Sequence, residues 1–477
     1  MKRFIFLALF LVGCTPSPSG AVPTPQPQTT LPLTPAQNLP ADLTIALDTP
    51  VETAPPASYG LNGWWSDEDA PTLTARYMEL APQTVRLPLL GAVIAPQKGR
   101  IVFDQPFDAG GRHLTYARWF AALRDMDADI MLYIPYLPEW MAKRPGPTPL
   151  TAPYPPADMQ AYAHLVGATL RYLVEDIGYP PERIILEPVN EPDLACGSDP
   201  AVACFWHDMD FAQLRAVIGA AHQAAKAVHP RIRIAGLATC CTHALLDRFL
   251  QDPSRAAWLD ILTYHDYSGG YAIGRALTIG DHLQSYGKPV YLDEYGSTTY
   301  WSDGREGALW HAAVLPQLWE HGITPVQFSL AEWPGMHAGY NQLGLMKDWR
   351  ADWQEKPAYH VYQNFYTAIP PARPVAVNAP EGIIAWAGSN PQNENTLLWL
   401  VNGAWEEKGG ELTVAVRGFP GDSAYIQVQD ALQSPVTGSG TAFRVAAAPN
   451  SVLLFEISLP PRSAALVTIQ PLPAPHP

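Results

Sequence analysis

Arg183-Ile184-Ile185-Leu186-Glu187-Pro188-Val189-Asn190-Glu191-Pro192 changes character halfway along. Its first half is aliphatic and β-branched, the composition of a strand buried on both faces of a parallel sheet. Its second half turns polar and contains two prolines, which cannot donate to a sheet ladder. A strand that leaves the core on Asn-Glu-Pro presents a carboxylate at its C-terminal mouth. In α/β folds that mouth is where ligands bind.

The same theme recurs on both sides of this stretch. Short apolar runs fall at Tyr59–Trp65, Thr84–Leu90, Ile130–Pro135, Arg183–Pro192, Arg231–Thr239, Leu259–Tyr267, Pro289–Ser297 and Thr324–Trp333. Helical periodicity lies between them, at Thr115–Met126, Met159–Asp176, Phe211–Val228 and Gly307–His321. Tyr162, Val166, Leu170, Leu173 and Val174 recur at helical spacing and face the sheet. Eight strands, each followed by a helix, predict an α/β protein with a (β/α)8 TIM barrel over residues 58–370. An open doubly wound sheet would carry a Gly-rich phosphate turn after its first strand, and this chain has none there. Beyond residue 370 the helical signal stops. Short strands at Ile383–Ala387, Thr396–Val401, Glu411–Val416, Ala424–Val428, Ala442–Ala446, Val452–Ile457 and Ala465–Ile469 predict a C-terminal antiparallel β-sandwich over 371–477. Leu43–Leu47 reads as a lone strand able to complete it.

The chain has 477 residues, with 30 Lys and Arg against 45 Asp and Glu, a formal charge of −15. That balance argues against nucleic acid as a partner, which demands basic patches. Met1-Lys2-Arg3 followed by the apolar run Phe4–Val12 has the form of an export signal and is too short to span a bilayer. The run ends on Leu11-Val12-Gly13-Cys14, which resembles the bacterial lipoprotein signal; an ordinary signal peptide with an incidental cysteine is the alternative. The resemblance implies cleavage after residue 13, lipidation of Cys14, and an extracytoplasmic protein tethered to a membrane through that anchor. Residues 14–57 then form a tether: positions 15–40 hold eight prolines and no charge. Cys196, Cys204, Cys240 and Cys241 allow three disulfide pairings, of which a Cys196–Cys204 bridge closing a short loop is preferred.

The predicted strand ends gather Arg86, Trp140, Asn190, Glu191, His265, Tyr267, Glu294 and Trp333, which a barrel would bring to one cleft. Two carboxylates on different strands of one cleft suit glycoside hydrolysis, one donating a proton and the other attacking. Pro289-Val290-Tyr291-Leu292-Asp293-Glu294-Tyr295-Gly296 is the second apolar strand ending in a carboxylate. The two segments resemble the fourth and seventh strands of clan A retaining glycoside hydrolases. There Asn-Glu-Pro carries the acid/base and a Glu-aromatic-Gly carries the nucleophile. Thr263-Tyr264-His265-Asp266-Tyr267 resembles the clan's His-x-Tyr signature, Thr84-Val85-Arg86-Leu87 its second strand, and Pro138-Glu139-Trp140 its Pro-x-Trp turn. Families 39 (β-xylosidase-type) and 5 (cellulase-type) are the nearest in pattern, although Pro188 and Val189 stand where those relatives often carry an aliphatic residue and Trp.

The resemblance implies Glu191 as acid/base and Glu294 as nucleophile. It also implies Arg86, Tyr267, Asn190, His265, Trp140 and Trp333 as substrate-binding or supporting residues, with a carbohydrate substrate and no metal or cofactor. Glu187, by strand alternation on the same face as Glu191 but deeper, reads as a buried charge paired with Arg86. Glu139, Asp293 and Glu332 read as rim or structural carboxylates, and Asp193 as a loop cap. Two other function classes fit less well. A metal-dependent barrel hydrolase wants a His-x-His on the first strand, which here reads Gly60-Leu61-Asn62-Gly63. A non-catalytic glycan-binding surface lipoprotein would be expected to have lost one carboxylate, and both are present.

Overall fold

The computed structural model describes residues 41–472 apart from 52–57, 64–65, 109–111, 147–150, 195–204, 241, 268–272, 298–303, 333–342, 369–371, 391–393, 403–409, 421–422, 435–439, 447–451 and 461. Eight strands close into a parallel barrel: β1 (Gly60–Asn62), β2 (Thr84–Pro88), β3 (Asp129–Tyr133), β4 (Ile184–Glu187), β5 (Arg233–Thr239), β6 (Ile261–Asp266), β7 (Val290–Tyr295) and β8 (Ile323–Gln327). Each falls on one of the apolar runs, β3 and β8 starting one residue ahead of it, and most of their residues are buried on both faces. Met131, Ile185, Ala235, Ile261, Tyr291 and Val326, from six different strands, pack together as an apolar cluster of their own. Such a plug makes the barrel a packed core with its polar chemistry above.

Strand β4 ends at Glu187, five residues short of the predicted run. Pro188 has no N–H to continue the ladder, so Pro188–Pro192 leaves the sheet as a free lip. That lip is fixed from outside, because Tyr162 donates its hydroxyl hydrogen to the Pro188 carbonyl at 3.1 Å. The helices hold to the sequence signals. Asp158 caps Met159–Arg171 by accepting from the backbone N–H groups of Gln160 and Ala161, and Asp210 with Gln213 forms a capping box on Phe211–Val228. The predicted helix over 159–176 divides at its end, where Tyr172–Asp176 winds as a π turn.

The C-terminal strands form a nine-stranded sheet folded around its own apolar core, in which Leu43, Ile45, Leu398, Leu400, Val414, Val467 and Ile469 are fully buried. The strand Arg373–Asn378 gave no clear signal, since Pro374 interrupts its alternation. Leu43–Pro50 does join this sheet. It pairs antiparallel with Arg373–Asn378 and parallel with Gly410–Arg417, so the sandwich is not purely antiparallel as expected. Parallel neighbours require a long crossover, and here the crossover spans the whole barrel.

Helix Arg305–Glu320 is buried nearly all round because it lies between barrel and sandwich. It carries Pro316 in its interior, which leaves the Ala312 carbonyl without the N–H donor four residues on. Trp399 of the sandwich supplies that donor: its indole N–H reaches the Ala312 oxygen at 2.9 Å. Trp399→Phe should therefore destabilise the protein by about 1–3 kcal/mol by orphaning a buried carbonyl. Pro316→Ala, which restores a backbone N–H, should recover part of that loss. Urea unfolding of the two single variants and the double variant measures the coupling.

Candidate active site

Arg86, inward-facing on β2, is completely buried and organises the C-terminal mouth of the barrel. Its Nε and Nη2 donate to Glu187 Oε2 at 2.9 and 2.6 Å, which confirms the deep pairing expected from alternation on β4. Nη2 also donates to Asn190 Oδ1 at 2.7 Å. Nη1 donates to Asn62 Oδ1 at 3.1 Å and to Glu294 Oε1 at 2.5 Å. The face of the Tyr133 ring lies 3.8 Å below the guanidinium carbon. Every donor of the fork is thus matched by an acceptor on β1, β4, the lip after β4 or β7, with the β3 ring beneath.

Strict alternation along β7 would turn Tyr291, Asp293 and Tyr295 to one face and Glu294 to the other. The register with β6 slips between Leu292 and Glu294, so that Leu292 faces Tyr264 while Glu294 faces His265. This bulge brings both acidic residues to Arg86, with Asp293 Oδ2 at 3.1 Å from its Nε. Asp293 is fully buried, so of the rim and structural readings the structural one holds. Neither of its oxygens has hydrogen-bonding geometry, and Arg86 and His265, the latter at 3.5 Å, hold it by charge. Glu294 is an acceptor on both oxygens, taking Arg86 on one and the Tyr267 hydroxyl, at 2.7 Å, on the other.

Glu191 occupies the free lip after β4 with φ of +44°, a conformation non-glycine residues rarely adopt. It is locked there by its N–H, which donates to the Ala238 carbonyl at 3.0 Å. Its Oε1 lies 2.7 Å from His265 Nδ1. One oxygen each of Glu191 and Glu294 and a ring nitrogen of His265 fall within 4.8 Å of one another. Two carboxylates and an imidazole could hold a cation, yet Arg86 and Tyr267 already donate to the two oxygens of Glu294. A metal there would have to displace the guanidinium, so the set is better built for proton transfer.

Burial raises the pKa of Glu191, the imidazole of His265 pulls it back down, and the Glu294 charge pushes it up; the net direction is upward. Glu187 goes to about 8, through burial and the neighbouring Asp293 against the pull of Arg86. Burial would lower His265, but the charges of Glu294 and Asp293 outweigh it and carry it well above its ordinary value. Asp293 moves down despite burial, because His265 and Arg86 flank it. The upward shifts of Glu187 and Glu191 both reduce the negative charge set against Arg86 and His265. A dry cluster needs such a balance.

The structure thus gathers Arg86, Asn190, Glu191, His265, Tyr267 and Glu294. Trp140 is placed elsewhere. Its indole N–H donates to the Ala95 carbonyl at 2.8 Å, and it lines a cavity of about 290 Å³ with Lys98, Arg100, Asp158 and His164. Trp333, Cys14, Cys196, Cys204 and Cys241 lie outside the described residues. Asp193 caps a neighbouring loop as expected, accepting from the N–H groups of Cys240 and Thr242. Glu332 is structural, paired with Lys356 at 2.5 Å, and Glu139 is exposed. Asn62, Tyr133 and Thr263 were not singled out from the sequence. Each is a polar residue at an inward position of an otherwise apolar strand, and Thr263 donates to Glu187 Oε1 at 2.7 Å.

No family model matches the sequence, and no curated protein does. Solved structures do share the fold. A β-xylosidase from Caulobacter crescentus CB15 superposes with a TM-score of 0.67 at 14% identity, covering 90% of this chain and 99% of that one. A GH39 enzyme from Xanthomonas axonopodis pv. citri gives 0.64 at 14% identity over 90% and 97%. A glycoside hydrolase family 30 subfamily 8 xylanase from Clostridium acetobutylicum gives 0.59 at 16% identity over 90% and 99%. The likeness runs through barrel and sandwich together. At these identities it establishes a common fold.

The charge arrangement has a pH signature. The stability contributed by His265 is present below its unfolded pKa, about 6.5, and is lost as pH rises through its raised folded value. Glu187 acts in the same direction between its unfolded value of about 4.3 and about 8, since it resists ionisation in the fold. The urea midpoint should therefore decline from weakly acidic to alkaline pH. Asp293→Asn, which removes a charge beside His265, should move the His265 ring-nitrogen titration followed by NMR to lower pH. An unmoved titration would show that Asp293 does not support the imidazolium.

Proposed function

We propose that this protein is a retaining glycoside hydrolase that cleaves O-glycosidic bonds by double displacement. The single observation that carries the reading is the approach of Glu191 and Glu294, with carboxylate oxygens within 4.8 Å in contrasting surroundings. Retention calls for carboxyl groups about 5–5.5 Å apart, whereas inversion leaves a wider gap for water. Glu191 is the general acid: its pKa is raised, and it lies on a lip outside the sheet where a leaving-group oxygen has access. Glu294 is the nucleophile, aimed by Arg86 and Tyr267. It attacks the anomeric carbon while Glu191 protonates the leaving oxygen, forming a glycosyl ester. Glu191, now ionised, then takes a proton from water, which attacks the same carbon and frees Glu294. His265 orients Glu191 and lowers the cost of its ionised state in the second step. Asn190, held by Arg86, is placed to hydrogen-bond the sugar 2-hydroxyl. Trp333, which follows the eighth strand in the sequence, is proposed as a stacking platform.

Both the similar solved β-xylosidase and the xylanase make β-xylosides the first substrates to try. On an aryl glycoside panel, Glu294→Ala should abolish turnover. Glu191→Gln should lower kcat/KM by about 10²–10⁴-fold for poor leaving groups and far less for dinitrophenolate. Proton NMR of the first-formed sugar should show the substrate's own anomer. Glycan binding without turnover in the unsubstituted protein would support the non-catalytic alternative instead.

We further propose that the protein is a membrane-tethered lipoprotein outside the cytoplasm, anchored at Cys14. The support is the basic start, the short apolar run and the Leu-x-Gly-Cys order. Cys14→Ala should move the protein from the membrane fraction to the soluble fraction and remove labelling by radioactive palmitate. Unchanged fractionation and labelling would overturn the anchor.

A further inference from the structure

Outside the barrel, two helices on either side of β6 in the chain bring three metal-ligating side chains to one point. His243 and Asp247 are four residues apart, at the N-cap and in the body of helix Ala244–Leu250, and so share one face. His282 lies in the last turn of helix Gly274–Gln284. Both imidazoles turn the same nitrogen toward the same carboxylate, each toward a different oxygen. His282 Nε2 is 2.7 Å from Asp247 Oδ1, and His243 Nε2 is 3.7 Å from Asp247 Oδ2. The two rings are 5.0 Å apart, and one ligand atom from each of the three residues lies within 4.8 Å of the others. None of these residues belongs to the catalytic cluster.

We propose that His243, Asp247 and His282 form a site for a divalent transition-metal ion of the zinc class. Zinc takes imidazole nitrogen at about 2.0–2.1 Å and carboxylate oxygen at about 2.0–2.2 Å, so its tetrahedral ligands stand roughly 3.3 Å from each other. The observed separations of 2.7 and 3.7 Å bracket that value. Closing the site needs only small rotations of side chains that are 41–42% exposed for the histidines and 23% for Asp247. The fourth position is left for water. Tyr286 donates its hydroxyl hydrogen to Asp247 Oδ1 at 3.1 Å, the outer contact that orients a ligating carboxylate. Two nitrogens and one oxygen suit zinc, copper or nickel and offer little to magnesium, which prefers an all-oxygen shell. A bound ion would tie together the helices that follow β5 and β6. Its role is to clamp the outer ring rather than to take part in the chemistry.

The test is calorimetric titration of the tag-free, full-length protein with Zn²⁺ alone and with Mg²⁺ alone, together with melting in each ion. Saturable Zn²⁺ binding and a raised Tm are expected, with no response to Mg²⁺. His243→Ala/His282→Ala, checked for native circular dichroism, should weaken the zinc isotherm at least tenfold and erase the shift in Tm. Glu191→Gln should leave both unchanged, which separates this site from the Glu191–His265–Glu294 cluster. Absence of saturable zinc binding overturns the proposal. So does binding that survives the double substitution, or binding that disappears with Glu191→Gln.

Discussion

A guanidinium with no access to water dominates this molecule. Arg86 is fully buried beside three carboxylates, Glu187, Asp293 and Glu294, and the amide oxygens of Asn62 and Asn190. An isolated charge in such a medium would cost several kcal/mol or more. The fold meets that demand by drawing in an acceptor from β1, two from the β4 segment and two from β7. Once those partners are committed to Arg86, little freedom remains. Glu294 is aimed, Asn190 is held at the lip, and Glu187 and Asp293 crowd together until one of them keeps its proton.

The fold was legible because it rests on periodicity over long windows. Eight apolar runs separated by amphipathic segments have few alternatives, and all eight runs became barrel strands. The fold-level failures were local. Pro374 masked the strand Arg373–Asn378, and the parallel partner of Leu43–Pro50 could not be foreseen, because register between segments some 370 residues apart leaves no trace in either. Within the site, Arg86, Glu187 and the supporting pair His265 and Tyr267 were readable from strand position. Asp293, read as a rim or structural carboxylate, is structural, but its place beside Arg86 was hidden for a definite reason. Alternation admits only one of two adjacent residues to the interior, and a bulge admits both. Nothing in the string Leu-Asp-Glu-Tyr announces the slip in register. Trp140 was misplaced for the opposite reason: a turn motif fixes where a residue falls along the chain but not which way a loop rolls its side chain.

The join between the two domains shows how one residue's defect becomes another's attachment point. Pro316 removes a hydrogen-bond donor from the middle of a helix, and the sandwich repairs it with Trp399. The tilted rings of Trp319 and Trp386 pack at 4.7 Å beside the same seam, and Asn364 donates to the carbonyls of Ala431 and Gln433 across it. Such specific contacts give the sandwich one orientation on the barrel. An apolar seam alone would have allowed sliding.

Leu43–Pro50 lies inside the C-terminal sheet, laddered on both sides, although it precedes the barrel in the chain. Consider a pull on the segment that leads into it. The load runs along the strand and is shared by two ladders at once, in shear, instead of unzipping an edge one bond at a time. The sandwich therefore acts as a mechanical buffer. Force applied through the N-terminal segment is resisted by that sheet before it reaches the barrel mouth.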